Sequence, residues 1–320
     1  MLWNTNYRFY KEKVGNYMKK YLKIISSILI FSLLSPLSIS AKEVEQVYLS
    51  LDYENTDSLP HNFRKTTDLS NVIKGGGNTT GLENLNISGS SQFTSLSFLN
   101  LKKNISTKNE FWDIDLRQES HGFINGNAVS WYGPGDKANA GLNYKEVIAK
   151  EAKQLSEIPF GKSITLDNGK HTLIPTVVEN ESKLVSSNNV KYLRIAVTDG
   201  DRPTDESVDQ FVKFVTHLPN NYWLHFHCKE GIGRTTTFMS LFDMMKNSKN
   251  VSLDDIIKRQ FLLGGFNLFK PGDENKRVLF LRNFYKYTKE NNDNFKTTWS
   301  DWIKQNNITP YTSTTELPKN

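Results

Sequence analysis

The chain has 320 residues, of which 37% are hydrophobic and 12% aromatic, so it can bury one large core or two modest ones. Its net charge is +6, but residues 1–41 hold six of the 40 basic residues and one of the 34 acidic residues. The remaining residues carry 34 basic and 33 acidic side chains, a net charge of +1. The overall charge therefore gives no support for a nucleic-acid-binding protein, and no biased tract is long enough to predict disorder.

The N-terminal part has the pattern of a leader followed by a secretory signal peptide. A basic pair at 19–20 precedes an apolar run at 24–34, and small residues follow. The apolar run has about eleven residues, whereas a membrane span needs about 20. We predict cleavage near Ser40 or Ala41 and export to the medium or the cell envelope, without a stable membrane anchor. The leader is unusually long, so Met18 is an alternative translation start.

The first half of the remaining chain alternates irregular and regular segments. Residues 42–86 are polar and are predicted to be irregular, with turn signals at Asp57-Ser58 and 75–77. A strand and turn are predicted at 86–91, followed by a short helix that Thr94 or Ser95 caps. Alternating apolar residues then predict a strand at 110–116, and a polar segment at 117–122 follows it, ahead of the aromatic stretch 129–133.

The second half gives clearer helices and strands. The segment 160–189 contains short β-like runs and is predicted to form a small β elaboration. Buried strands are predicted at 192–197 and 222–226. Helical spacing of apolar residues predicts the following helices: 142–155, one from Pro203 or Thr204 to 218, 235–245, one after the capping box at 252–255, 278–287, and a short one with Trp299 and Trp302. This alternation predicts an α/β fold around a central, mostly parallel sheet.

The only cysteine, Cys228, lies between the strand at 222–226 and the helix at 235–245. Backbone N–H groups at a helix N-terminus bind anions and also stabilise a thiolate. Gly231 and Gly233 let successive N–H groups converge on a phosphate, and Arg234 can hold two phosphate oxygens. An exported chain with one cysteine has no intramolecular disulfide, so the thiol has another purpose. The pattern predicts a nucleophile that attacks phosphorus.

Attack on a phosphate monoester also requires a general acid for the leaving group. Asp199 follows the strand at 192–197, and functional loops gather at the carboxyl ends of strands in α/β sheets. If the strands before Asp199 and Cys228 are neighbours, Asp199 can serve as this acid, with Asp201 and Asp205 as competitors. Thr235 is placed to hydrogen-bond the departing thiolate.

Other residues of the loop bear on the substrate. Lys229 beside the nucleophile favours a substrate with more than one phosphate, whereas Glu230 opposes one unless its carboxylate turns away. His225 and His227 lie on one face of a strand, but without a third ligand they indicate core histidines rather than a metal site. We therefore expect no metal and no cofactor.

Several blocks of the chain occur in the order found in a known family. His227 to Thr235 resembles the H-C-x5-R-[ST] signature of protein tyrosine phosphatases, and the chain more narrowly resembles the bacterial cysteine phytases, which are tyrosine-phosphatase-like inositol polyphosphatases. The likeness covers nearly all of residues 59–305. The remaining matching blocks are Leu59-Pro60, Asn62-Phe63-Arg64, 87–91, 115–122, 129–133, 194–196, Thr198-Asp199, 223–228 and 264–266.

This resemblance implies one catalytic domain at 42–320, with a phosphatase core and a small β-barrel-like insert. It implies metal-independent, stepwise removal of phosphates from myo-inositol hexakisphosphate (phytate) and supports Asp199 as the acid. It also implies substrate contacts by the loop residues His227, Lys229, Glu230, Gly231, Ile232 and Gly233, and by Arg64, Asp115 and His171. Two departures from the family pattern, Gly200 in place of a histidine and a shortened 269–277 segment, fall where outer phosphates would be held.

Two other functions remain open from the sequence. The first is a protein tyrosine or dual-specificity phosphatase that acts on phosphoproteins. The second is a phosphate-binding protein without catalytic activity. Intact Cys228, Arg234 and Asp199 argue against the second, because a pure binder needs no thiolate and gains a risk of oxidation from one.

Overall fold

The computed structural model describes residues 47–269 and 275–312, which fall within one structural unit, Glu45–Asn320. The predicted signal peptide lies outside the described residues. The strands are β1 Tyr48–Tyr53, β2 Arg64–Lys65, β3 Ile87–Ser90, β4 Glu110–Arg117, β5 His121–Ile124, β6 Asn127–Tyr132, β7 Ile164–Leu166, β8 His171–Leu173, β9 Val178–Glu179, β10 Lys191–Val197 and β11 Tyr222–His227. The α-helices are α1 Ser70–Lys74, α2 Ser95–Ile105, α3 Tyr144–Ser156, α4 Glu181–Ser187, α5 Asp205–Thr216, α6 Gly233–Asn247, α7 Leu253–Leu262, α8 Lys276–Glu290 and α9 Trp299–Gln305.

A five-stranded sheet in the order β10-β4-β11-β3-β2 forms the centre of the fold. The first four strands are parallel and β2 is antiparallel, which confirms the predicted α/β class with a mostly parallel sheet. His227 pairs with Ser90 on one side and with Asp115 on the other. The carboxyl ends of four strands therefore meet at the edge of the sheet where the cysteine loop begins.

Strand β11 is buried along its whole length, and its two faces serve different cores. Leu224 and Phe226 pack into the large apolar cluster formed with α5, α6, α8 and α9. Trp223 packs on the opposite side, in a cluster that includes residues of α2 and α4. Because strand side chains alternate, His225 and His227 share the second face, as the period of two predicts.

The β insert is larger than the predicted elaboration at 160–189. It consists of a four-stranded sheet, β1-β6-β5-β9, and the β7–β8 hairpin, so three of its strands precede residue 160. Within 160–189, Glu181–Ser187 forms a helix instead of β structure. Asn125 and Gly126, both with positive φ, turn β5 into β6, a hairpin signal that the prediction overlooked.

The prediction of irregular structure throughout 42–86 is also wrong. This region contains β1, β2 and α1. Strand β1 pairs only with β6 among the described strands, across more than 70 residues of sequence, and all of its residues are partly buried. Its strand conformation thus depends on a distant partner, which short-range periodicity does not reveal. None of the helices in the described ranges is long and apolar enough to cross a membrane.

A buried ion pair joins α6 to α7, and we expect it to be important for stability. Arg259 is fully buried and donates hydrogen bonds to the carboxylate of Asp243. In Asp243→Ala the guanidinium would keep the carbonyls of Asn78 and Thr80 but lose its charged partner, and we expect a loss of about 3–5 kcal/mol in the free energy of unfolding. Urea denaturation monitored by circular dichroism measures this change.

The matched control is Glu157→Ala, which removes one partner of the exposed pair between Lys153 and Glu157. Surface pairs contribute about 0–1 kcal/mol, so this control should retain nearly all stability. Equal effects of the two substitutions would contradict the assignment of stability to the buried pair.

Candidate active site

Cys228 lies directly after β11, at the start of the loop that leads into α6, and is only 3% exposed. Its Sγ accepts a hydrogen bond from the Thr235 hydroxyl at 3.2 Å. Burial by itself would raise the pKa of the Cys228 thiol. The positive charge of Arg234 and the hydrogen bonds from Thr235 outweigh burial, and the pKa of the thiol lies below its ordinary value. The site therefore favours the thiolate.

The carbonyl groups of the loop are hydrogen-bonded by groups outside the space above the thiol. They accept from the following donors: Gln92 N–H (3.0 Å) and Tyr53 hydroxyl (3.3 Å) to Lys229, Asn62 Nδ2 (2.8 Å) to Glu230, Arg64 Nη1 (2.9 Å) to Gly231, Thr236 Oγ1 (2.5 Å) to Ile232, and Thr237 Oγ1 (2.8 Å) to Gly233. The N–H groups of 229–232 have no acceptor within residues 47–269 and 275–312. Such a run of unpaired donors binds an anion.

Gly231 is required by the shape of this loop. Its φ is +70°, and a Cβ atom there would lie 2.3 Å from the carbonyl carbon of Ser90 and 2.3 Å from the nitrogen of Ser91. These are backbone atoms and cannot move aside cheaply. Gly233 is under no such constraint, since its nearest neighbour would be Arg277 Nη1 at 3.5 Å.

Arg234 is held in place by Glu119, a residue that the sequence analysis did not single out. Its two Nη atoms donate to the two carboxylate oxygens of Glu119 at 2.7 and 2.9 Å, and Nη1 also donates to the Val197 carbonyl at 3.0 Å. Burial would raise the pKa of Glu119, but Arg234 and Arg117 hold it well below the ordinary range. Glu119 thus stays ionised and orients the guanidinium.

Asp199 approaches the same guanidinium from β10. Its Oδ1 lies 3.1 Å from Arg234 Nη2, and 44% of its side chain is exposed. The condition set for Asp199, that the strands before it and before Cys228 are neighbours, is not met, because β4 lies between β10 and β11. The two groups still meet because all three strands end at the same edge of the sheet.

The competitors of Asp199 have other partners. Asp201 accepts hydrogen bonds from the Tyr311 hydroxyl at 2.6 Å and from the Arg202 N–H at 2.7 Å. Asp205 is buried and accepts from Trp299 Nε1 at 2.8 Å. Among these three acids, Asp199 is therefore the one placed beside the anion-binding loop.

His227 contributes to a buried charge network below the loop. Its Nε2 lies 2.7 Å from Glu181 and 3.6 Å from Asp113, and its side chain has no exposed surface. Burial would lower the pKa of His227, but the carboxylate of Glu181 raises it well above the ordinary value. Its imidazole thus supports the loop from beneath, where it is out of reach of a bound substrate.

Asp115 is equally enclosed and accepts a hydrogen bond from the Tyr192 hydroxyl at 2.7 Å. Its Oδ2 also lies 3.2 Å from Arg194 and 3.3 Å from His121. The carboxylate of Asp115 is already bound by these three groups, so it cannot make the substrate contact that the resemblance implied. We regard it as a support for the loop.

Two buried triads have ligand atoms close enough for a metal ion, namely Asp113, Glu181 and His227, and Asp115, His121 and Glu181. In the structure most of these groups pair with one another and with neighbouring donors. The exception is Asp113, whose carboxylate has no hydrogen-bond partner in the described structure; burial raises its pKa to about 8 although His227 opposes this. A protonated Asp113 would balance the charge here without a metal ion.

Lys229 is neutralised by acids of the insert. Its Nζ lies 3.4 Å from Asp52 and 3.3 Å from Asp136, and 4.8 Å from the centre of the Tyr132 ring. Its ammonium therefore ties the loop to the insert, and its value as a second phosphate contact is reduced. The exposed Glu230 turns its carboxylate toward the Tyr53 hydroxyl at 3.4 Å.

Arg64 and His171, both implied as substrate contacts, lie in different parts of the structure, and only Arg64 contacts the cysteine loop. Arg64 is buried and braces the loop through Gly231 and, at 3.1 Å, through Thr236 Oγ1. His171 lies on the β7–β8 hairpin, is half exposed, and has its Nε2 3.8 Å from Asp167. None of the contacts described for His171 involves the cysteine loop.

A basic cleft borders the site on the side of Asp199. It has a volume of about 480 Å³ and is lined by Lys137, Gly200, Asp201, Arg202, Phe266, Asn267, Leu268, Asn275, Lys276 and Arg277. Arg277 Nη2 donates to the Asp201 carbonyl at 2.9 Å, and Nη1 would lie 3.5 Å from a Cβ at Gly233. Arg277 lies within the segment flagged as shortened, but its place beside the loop could not be read from the sequence.

The chain is similar to known proteins both in sequence and in structure. The family model for PTP-like phytases, described as "Inositol hexakisphosphate", matches residues 162–246. A PTP-like phytase from Bdellovibrio bacteriovorus has 34% identity and a TM-score of 0.69, over 82% of this chain and 96% of that one. The tandemly repeated phytase of Mitsuokella multacida has 34% identity and a TM-score of 0.73, over 85% of this chain and 53% of that one.

A structure of the Mitsuokella multacida myo-inositol phosphatase in complex with myo-inositol-(1,3,4,5)-tetrakisphosphate has 32% identity and a TM-score of 0.73, over 91% of this chain and 55% of that one. The effector protein hopD2 of Pseudomonas syringae pv. tomato is 32% identical over 261 residues, 75% of this chain and 56% of that protein. The chain thus spans about half the length of these larger relatives. It covers nearly the whole of the Bdellovibrio protein, however, and it belongs to the family of protein-tyrosine-phosphatase-like phytases.

Proposed function

We propose that this protein hydrolyses phosphate monoesters through a phosphocysteine intermediate and that its substrates are inositol polyphosphates. The observation that carries the proposal is the Cys228 thiol at the start of a loop with unpaired N–H groups, under the influence of the Arg234 charge. These donors surround the place that a phosphate would occupy. A noncatalytic phosphate binder would need the donors but not a thiol of lowered pKa.

In the first step the Cys228 thiolate attacks phosphorus, so that an S–P bond forms while the bond to the ester oxygen breaks. Arg234 and the loop N–H groups stabilise the charge on the three remaining oxygens. Asp199 gives its proton to the leaving oxygen, which departs as an alcohol. The partial exposure of Asp199 is consistent with a proton donor that faces an incoming substrate.

In the second step a water molecule attacks the phosphocysteine. The ionised Asp199 takes a proton from this water, a P–O bond forms, and the S–P bond breaks. Thr235 stabilises the released thiolate with the hydrogen bond that it already makes to Sγ. The products are inorganic phosphate and the original thiolate, with Asp199 protonated again.

The basic cleft favours a substrate that carries several phosphates. Arg202 lines it but is paired with Asp205, whereas Lys137 and Arg277 line it as further cations. These cations stand near Gly200, where the family pattern has a histidine, and supply positive charge to that side of the site. The relative solved with an inositol tetrakisphosphate supports the same substrate class.

The decisive measurement is kcat/KM for phytate and for a phosphotyrosine peptide, determined side by side. We expect phytate to be preferred, because the loop and cleft together offer more cationic contacts than one phosphate can use. Cys228→Ser should abolish turnover of both substrates and retain phosphate binding. A preference of roughly 100-fold or more for the peptide would reject inositol polyphosphates as substrates.

Asp199→Asn tests the acid. We expect kcat for phytate to fall by about 10²–10⁴-fold, since the leaving alkoxide would depart without a proton. The limb of the pH–rate profile that reports the acid should disappear. Asp254→Asn, which alters an exposed acid in the first turn of α7, is the control and should leave kcat unchanged. A pH–rate profile that Asp199→Asn leaves intact would assign the proton to another group, with Asp201 the next candidate.

We also propose that residues 1–41 direct export. The support is the basic pair, the short apolar run and the small residues that follow it. Bacterial expression of the full chain should yield a periplasmic or secreted protein whose N-terminus, measured by mass spectrometry, begins near residue 41 or 42. Leu29→Arg should block export, because a charge in the apolar run opposes insertion by about 2.5–3.5 kcal/mol. Recovery of unprocessed wild-type chain in the cytoplasm would refute export.

A further inference from the structure

The segment that follows α9 returns to the loop that carries Asp199. We call residues 198–203 the acid loop. The Tyr311 hydroxyl donates a hydrogen bond to the Asp201 carboxylate at 2.6 Å. The Tyr311 ring also lies 4.4 Å from the Arg202 guanidinium carbon, which is 4.7 Å from the Phe280 ring. Arg202 is thereby stacked on two aromatic rings, one of them from the C-terminal segment.

The backbone of Tyr311 is tied to the start of α5 as well. The Asp205 N–H donates to the Tyr311 carbonyl at 2.9 Å, and the Tyr311 N–H donates to the Asp205 carboxylate at 2.5 Å. Asp205 also accepts from Arg202 and from Trp299 Nε1. The C-terminal segment is therefore docked against the acid loop through its backbone, its ring and its hydroxyl.

Apart from the ion pair of Asp199 with Arg234, few other contacts define the shape of the acid loop. Gly200 has φ of +74°, and no atom lies within 4 Å of the place of a Cβ atom. Within the loop, the Asp201 N–H donates to the Thr198 carbonyl at 3.2 Å. Contacts from outside hold its two ends: Thr198 donates to Gln118 at 2.6 Å, and Asp201 receives hydrogen bonds from Arg277 and Tyr311. Asp199 lies between these anchors, with one flank open to solvent.

We propose that the C-terminal segment around Tyr311 is a clamp that holds the acid loop so that Asp199 reaches the leaving oxygen. Tyr311 is then a positioning residue that acts through Asp199. This inference rests on the proposed function, since it assumes that Asp199 donates the proton. A general acid works only within hydrogen-bond reach, and a misplacement of about 1 Å can cost on the order of 10²-fold in rate.

The test uses a series of aryl phosphates whose leaving groups range from dinitrophenol, which departs readily as an anion, to phenol, which needs a proton. The parameter is kcat/KM, which reports steps up to transfer of phosphate to the cysteine. Tyr311→Ala should lower kcat/KM for phenyl phosphate by roughly 10-fold and change dinitrophenyl phosphate by less than about 2-fold. The dependence on leaving-group basicity should become steeper, which a general loss of folded protein does not cause.

Two controls isolate the clamp. Tyr285→Phe removes a tyrosine hydroxyl that donates to the carbonyls of Val251 (3.0 Å) and Ser248 (3.4 Å), and it should leave the series unchanged. Deletion of residues 313–320 retains Tyr311 and should also leave kcat/KM for the series unchanged. Deletion of residues 311–320 should have the same effect as Tyr311→Ala. If circular dichroism shows that Tyr311→Ala is poorly folded, Tyr311→Phe, which keeps the ring, replaces it in the test. Its dependence of kcat/KM on leaving-group basicity should also become steeper, but by less.

The double variant with Asp199→Asn separates this inference from the proposed function. If Tyr311 acts through Asp199, Tyr311→Ala should cause no further loss for phenyl phosphate once Asp199 is asparagine. A uniform loss across the series, or an unchanged slope in both Tyr311 variants, would overturn the clamp while leaving the function intact. No effect of Asp199→Asn itself would instead overturn the acid assignment on which the clamp depends.

Discussion

The outward hydrogen bonding of the cysteine loop is the constraint on which the site depends. An anion can bind over Cys228 only if the carbonyls of 229–233 find partners elsewhere, because a carbonyl oxygen facing a phosphate would repel it. Donors from β2, the segment after β3 and the start of α6 supply these partners. Gly231 completes the arrangement by letting the loop pass against the backbone of Ser90 and Ser91. The loop is thus preorganised by its surroundings.

The β insert forms part of the active-site structure. Tyr53 of β1 donates to the Lys229 carbonyl, and Asp52 beside it pairs with both Lys229 and Arg117. Arg117 in turn donates to Glu119, which orients Arg234. A continuous chain of charged groups therefore links the insert to Arg234. Any change that moves the insert should be felt at the loop through this chain.

The buried charges below the loop are better explained by catalysis than by stability. Removing ions from water is costly, and buried pairs often give no net gain over apolar packing. Here Glu119, Glu181 and His227 are nevertheless enclosed directly beneath or beside the nucleophile. Glu119 holds Arg234 in one orientation, and Glu181 holds His227, the last residue of β11, directly before Cys228. Perturbed titratable groups concentrated at one sheet edge are typical of functional sites.

Local periodicity and spacings of a few residues were enough to predict the α/β class, the long helices, the strand before Cys228 and the thiol, arginine and hydroxyl of the loop. Tertiary structure decided the rest. Glu119 meets Arg234 across 115 residues, β1 finds β6 from the far end of the insert, and Asp199 crosses over β4 to reach the loop. It also decided that Lys229, Asp115 and His227 pair with buried charged groups, although the sequence predicted all three as substrate contacts. The physical reason is that hydrophobic period and turn chemistry act over short stretches, whereas charge pairing, burial and strand order depend on how distant segments pack.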